Sequence, residues 1–391
     1  MTFDFDNAPS RRGTGSYKWD SATADDVIPL WVADMDFRTA PAIIEALRRR
    51  VEHGVFGYVK VPEAYYDAVT DWFATRHGWN IRREWIQYTS GVVPAISAII
   101  KALCRPGDGV IVQTPVYNCF FSSIRNNGCR IVENPLLRDD FGDGTFTYRM
   151  DYDKLEMLAA DPRNTMLLLC NPHNPAARCW SAEELRRVAD ICRRHGVTVV
   201  SDEIHCELTM PGYSYTPFAT VAGDCPTVVC NSPSKAFNTA GLQIANIIST
   251  DSQTRAAIDR AININEVCDV NPFGVVGLIA AYTQGSDWLE ALLEYLHDNY
   301  LYLCDFMREH LPQLPFAKLE ATYLAWIDIR PTGHSGEWLE EYLKSNHGVW
   351  VNAGAMYGCD GFIRVNLACP RRLLAEGLRR IADGITAQWL R

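Results

Sequence analysis

A lysine preceded by two serines, in Asn231-Ser-Pro-Ser-Lys235, follows directly on the short apolar run Thr227-Val-Val-Cys230. A run of this length reads as a buried strand, which places Ser232 to Lys235 on the turn at its carboxyl end. Such a turn offers hydroxyl donors to a phosphate and an amine to a carbonyl. That pairing suits pyridoxal phosphate, whose aldehyde forms a Schiff base with lysine. Serine and lysine are also ordinary loop residues, and a solvated turn accounts for the tetrapeptide when it is taken alone.

Three other segments share the pattern. Val110-Ile-Val112, Met166 to Cys170 and Thr198-Val-Val200 are short, apolar and followed at once by polar residues, as expected of parallel strands covered on both faces. In open parallel sheets the ligand lies beyond the carboxyl ends of the strands. The residues to inspect are therefore Tyr117, Asn174, Asp202 with His205, and Ser232 with Lys235. A further strand, Trp85-Ile-Gln-Tyr88, runs through Thr89-Ser-Gly91 into an apolar helix beginning at Val92, with Pro94 in its first turn. The free amides of that junction and the helix dipole can hold a phosphate without positive charge, although a tight turn is the other reading. Each strand-end residue suits a different part of one cofactor: an aromatic ring to stack, an amide for a phenolic oxygen, a carboxylate for a pyridine nitrogen, a lysine for the aldehyde.

With these residues in place a resemblance follows. Asn171-Pro-His-Asn174-Pro, Ser201-Asp202-Glu-Ile-His205 and Ser232-Pro-Ser-Lys235 resemble the signature blocks of the fold type I pyridoxal phosphate enzymes, the aspartate aminotransferase superfamily. Within it, Trp31-Val-Ala-Asp34-Met-Asp36-Phe, Gly91-Val-Val-Pro-Ala, Asp202-Glu-Ile-His205 and Lys235-Ala-Phe-Asn-Thr-Ala-Gly241-Leu-Gln243 resemble the bacterial MalY/PatB group of cystathionine β-lyases. The resemblance implies that Lys235 holds the cofactor, Asp202 pairs with its pyridine nitrogen, Asn174 bonds its ring oxygen and Tyr117 stacks on its ring. It assigns the phosphate to Val92, Val93, Ser232 and Ser234, and the substrate carboxylate to Arg364 with Asn174. It also implies a homodimer in which Tyr58, at the end of the loop His53-Gly-Val-Phe-Gly-Tyr58, reaches the phosphate of the other subunit. His205 stands where aminotransferases usually carry a tyrosine, and Gln243 where many carry a phosphate-binding arginine; both departures resemble the lyase group.

The implied reaction is α,β-elimination from a β-thio amino acid, giving thiol, pyruvate and ammonia. An aminotransferase with the same cofactor is the alternative, since a fold does not fix a reaction; a regulatory protein-binding role is a third reading. Asp202, Glu203, His205, Cys206 and Glu207 could suggest a metal, but strand-then-loop placement without H-E-x-x-H argues against one. Tyr17, Trp19, Asp34 and Met35 are further pocket candidates by position alone.

The elements that must position these groups form an α/β chain with a mainly parallel sheet. The clearest crossover helix opens at the capping box Ser181-Ala-Glu-Glu184 and stops at Gly196. After about residue 250 the alternation fades into one long helix, Ser286 to Leu311. The expected division is a large cofactor-binding α/β domain over 41–285, and a small α+β domain made of an amino-terminal arm, 1–40, with 286–391. The chain has 391 residues, is 48% hydrophobic and carries a formal charge of -10, which argues against nucleic acid or an anionic membrane as the main partner; the small amino-acid substrate is what the resemblance implies. The acidic start lacks the features of a signal peptide, and thirteen cysteines, an odd number without a C-x-x-C pair, read as reduced thiols; the expected location is the cytoplasm.

Overall fold

The computed structural model describes residues 3–22, 24–264, 266 and 269–389; residues 1, 2 and 23 of the expected arm lie outside the described residues. A seven-stranded sheet runs in the order Ile86–Thr89, Ala245–Ile248, Thr227–Asn231, Thr198–Asp202, Asn164–Cys170, Gly109–Val112, Arg130–Glu133. The last five strands pair in parallel. In four of the five the interior residues are buried, Thr165 excepted, because helices cover both faces; those of the edge strand Arg130–Glu133 are half-buried. Ala245–Ile248 is antiparallel to both of its neighbours, a strand that a search for parallel runs does not find.

Local signals hold where they were strongest. The crossover helix spans Ala182–His195; Ser181 accepts from the Glu184 amide, the Glu184 side chain accepts in return, and Gly196 closes the helix at φ 68°. Leu185, Val188, Ala189, Ile191 and Cys192 form its buried face. The long helix covers Ser286–His310.

A second sheet of six strands has the order Asn352–Ala353, Phe362–Asn366, Leu324–Asp328, Phe316–Ala317, Thr145–Arg149, Leu137–Asp140. Its outer hairpin, residues 137–149, joins through the parallel pair Thr145–Arg149 and Phe316–Ala317, although in sequence it falls inside the stretch 41–285. Charged residues on the hairpin hid its pairing: Arg138 reaches Asp328 across the sheet and lies over the Phe146 ring, 3.9 Å from its centroid.

The amino-terminal arm enters as the short strand Ile28–Pro29, paired in parallel with Val349–Trp350. Beyond it the backbone leaves strand geometry, because its carbonyls turn to side chains instead of a neighbouring strand. Trp31 O accepts from Asn352 Nδ2 (2.8 Å) and Arg364 (2.9 Å), Ala33 O from Lys235 Nζ (2.6 Å) and Tyr323 (3.0 Å), and Val32 O and Asp34 O both from Asn366 Nδ2.

Candidate active site

Where the parallel strands end, a cavity of about 550 Å³ opens between the two sheets and the 31–33 segment. The size suits a cofactor together with an amino acid. Lys235, Asp202, Asn174, Tyr117, His205, Val92, Val93, Ser234 and Arg364, residues far apart in sequence, all line it.

Lys235 follows the strand Thr227–Asn231, and its amine donates to Ala33 O. Burial, with the Arg364 guanidinium next in effect, lowers its pKa to about 8. A lysine so placed is both nucleophile and base near neutral pH. Asp202 ends the neighbouring strand. It is 3% exposed, accepts the Ile204 amide at 3.1 Å, and has no ion pair among the described residues. Burial pushes its carboxyl up to about 7. His205 is buried and held neutral, its pKa well below the usual value through burial and then the Lys235 and Arg364 charges; its Nδ1 has no partner. The Tyr117 phenol is likewise held neutral, by burial first and then by Cys119.

The helix Val92–Leu103 begins at Gly91 with no side-chain cap, so its first amides stay open toward the cavity. Arg364, 3% exposed, donates to Asn174 Oδ1 (3.1 Å) and Trp31 O (2.9 Å), while its Nε has no partner.

These observations test the cofactor read from the sequence. A carboxylate without a cation can receive a protonated ring nitrogen, an unpaired imidazole nitrogen and an amide face the same space, an uncapped helix start can take a phosphate, and a lysine of lowered pKa can take an aldehyde. The donor set fits pyridoxal 5'-phosphate. The unpartnered Arg364 Nε fits a carboxylate beside it.

Two expected cofactor contacts are not at the cavity. The Ser232 hydroxyl donates to Ile244 O at 2.6 Å and accepts from the Ser234 amide at 3.1 Å, so its proton is committed to holding the turn, and Ser234 is the hydroxyl that lines the site. Tyr58 is 98% exposed and does not line the cavity of its own chain. Of the positional candidates, Tyr17 lines the site, but Met35 is buried in the core, and Trp19 and Asp34 are tied into an ionic cluster with Arg11, Lys18 and Asp36. Ser90, Asn352, Tyr357 and Cys119 also line the cavity. Ser90 lies one residue past the strand Ile86–Thr89, so inspecting the end of that strand would have found it. The others carried no signal.

Cys206 and Glu207 do not join Asp202 and His205 around a common point. With His77 they form a compact group, but Glu207 already accepts from Trp72 Nε1 (2.7 Å) and Arg76 Nε (3.0 Å) and shares a hydrogen bond with His77 (2.8 Å), an ion-pair network closed upon itself.

Known proteins resemble this chain over nearly its whole length. A family model described as aminotransferase class I and II matches residues 25–381. The chain is 41% identical to cystathionine beta-lyase PatB of Bacillus subtilis, covering 98% of this chain and 100% of that protein. It is 36% identical to protein MalY of Escherichia coli, covering 98% and 99%. The structure of the PLP-bound C-S lyase from Staphylococcus hominis matches with a TM-score of 0.91 and 32% identity, covering 98% of this chain and 99% of that one.

Proposed function

The chain belongs to the aminotransferase class I and II family, and from that premise we propose how its residues divide the work of a pyridoxal 5'-phosphate-dependent carbon–sulfur lyase, which splits a β-thio amino acid into thiol, pyruvate and ammonia. The observation that carries the assignment is the convergence of Lys235, Asp202 and Arg364 on one cavity, two of them with displaced proton affinities and the third with an unused donor.

When bound, the cofactor supplies a sink for the electron pair released at the substrate Cα. Arg364 orients the substrate through its α-carboxylate, using the free Nε edge, while Asn174 and the Trp31 carbonyl keep the guanidinium plane fixed. Lys235 takes the α-proton; an amine with a pKa of about 8 is neutral in a useful fraction of molecules near pH 7 and still basic enough to act. The same amine would return that proton to the departing sulfur. Asp202 balances positive charge at the ring nitrogen. His205 offers a neutral imidazole, which neither competes with Lys235 for the proton nor repels it. Ser234 and the amides of Val92 and Val93 hold the phosphate.

Purified protein given cystathionine, cysteine and cystine should release thiol and pyruvate, with little transfer of the amino group to an added keto acid. Amino-group exchange as the main outcome would reverse the choice between lyase and aminotransferase.

We further infer a cytoplasmic homodimer with shared sites. Among the described residues no cysteine is in a disulfide and no helix is long and apolar enough to cross a membrane. Support for the dimer comes from an uncovered apolar stretch in which Val51, Val55, Phe56 and Tyr58 are all more than half exposed. Tyr58 of one protomer would complete the phosphate site of its partner. A Tyr58→Phe chain mixed with a Lys235→Ala chain should recover about one quarter of wild-type activity, since half the dimers are mixed and each mixed dimer has one intact site. Activity no higher than the mean of the two parents, in a sample whose mixed dimers are confirmed by mass, would rule the shared site out.

A further inference from the structure

Glu203 is a carboxylate with no exposure to solvent that the reaction above does not use. It has no cationic partner among the described residues; its charge is met by hydrogen bonds drawn from three separate segments. Oε1 accepts from Ser201 Oγ (2.8 Å), the Phe218 amide (2.9 Å) and Asn171 Nδ2 (3.3 Å), and Oε2 accepts from the Tyr215 hydroxyl. Asn171 also donates its amide to Asp202 O at 2.9 Å. It opens the short loop that ends in Asn174, the residue that holds Arg364.

We propose that Glu203 is a positioning residue of this site, one that ties the strand end bearing Asp202 to the loop bearing Asn174. The inference rests on the cofactor role given to Asp202 above. Geometry carries it, since Glu203 and Asp202 are adjacent in sequence and both bond to Asn171. Around Asp202 stand the Lys235 amine and the Glu203 carboxylate; around Glu203 stand the Tyr215 phenol and the thiols of Cys206 and Cys230. Burial pushes Glu203 up to about 7, against the pull of Tyr215, Phe218, Ser201 and Asn171. Burial does the same to Asp202, with the Ile204 amide and Lys235 opposing and Glu203 adding to the rise.

Glu203→Gln keeps the shape and an oxygen that can accept from Ser201, Phe218 and Asn171, so the affinity of the cofactor-free protein for pyridoxal 5'-phosphate, read from visible absorbance, and KM should both stay within about threefold of wild type. In Glu203→Ala the Asn171 to Asn174 loop loses its anchor, and cofactor affinity should fall and KM rise about tenfold, with a smaller change in kcat. Wild-type cofactor affinity and KM in folded Glu203→Ala, or losses in folded Glu203→Gln as large as those in Glu203→Ala, overturn the proposal. Because cofactor affinity is read without turnover, it stays readable even if wild-type protein binds the cofactor without releasing thiol, a result that would instead defeat the lyase assignment.

Discussion

Replacing Lys235 by alanine is expected to lower thiol release from cystathionine by about ten-thousand-fold and to leave the protein without the visible absorbance of covalently held cofactor. No other lysine lines the cavity, so nothing in this chain replaces the amine as anchor or as base. The substitution also has a signature in the cofactor-free protein. Burial and Arg364 lower this amine from 10.5 to about 8, so the unfolded chain holds the proton more tightly between those values. Wild-type protein therefore gains stability from this group as pH rises from about 8 to 10.5, and the alanine variant lacks that gain. Denaturant titrations at pH 7.5 and 10 check it; a coloured, active variant after dialysis would refute the assignment outright.

Asp202→Asn should fold and should lose about a thousandfold or more in turnover, because a neutral amide cannot hold a ring nitrogen protonated while charge develops at Cα. The asparagine can still accept the Ile204 amide, so local geometry survives. The cofactor-free variant should at the same time be the more stable protein. In wild type the carboxyl is displaced upward from 3.8 to about 7, so the folded chain holds the proton more tightly and loses stability as pH rises through that interval. Asparagine removes the loss, and the unfolding midpoint at pH 7 should rise by a few degrees. Calorimetry on cofactor-free samples, with turnover measured at full cofactor occupancy, separates the two effects; near-normal turnover would sink the role of Asp202.

The residues that carry this chemistry were legible because they sit where a simple rule looks, just past short apolar strands that the sequence marks clearly. Lys235, Asp202 and Asn174 follow such runs within a few positions. The capping box at Ser181 and the long helix from Ser286 were legible for the same reason, a local pattern with one physical cause. What escaped was settled at long range. The antiparallel Ala245–Ile248 has the composition of any buried strand, and its direction depends on partners on both sides. The hairpin at 137–149 is rich in charge, with Arg138 paired to Asp140 on its own strand and to Asp328 across the sheet, and Arg149 paired to Asp139 across the hairpin, which hid a strand pattern. The commitment of the Ser232 proton to Ile244 O cannot be read from a motif in which two serines look alike.

The contacts of the 31–34 segment with Arg364, Asn366 and Lys235 escaped for another reason: the acceptors are backbone oxygens, which every amino acid has. This gives the segment an unusual mutational profile. A scan that changes one side chain at a time at Val32 and Ala33 to others of similar size should find tolerance, because each presents the same carbonyl. A one-residue insertion or deletion between Trp31 and Asp34 should be far more damaging than those substitutions, because it moves each oxygen away from the donor it serves. At Val32 and Ala33, position along the chain matters more than which small apolar residue stands there.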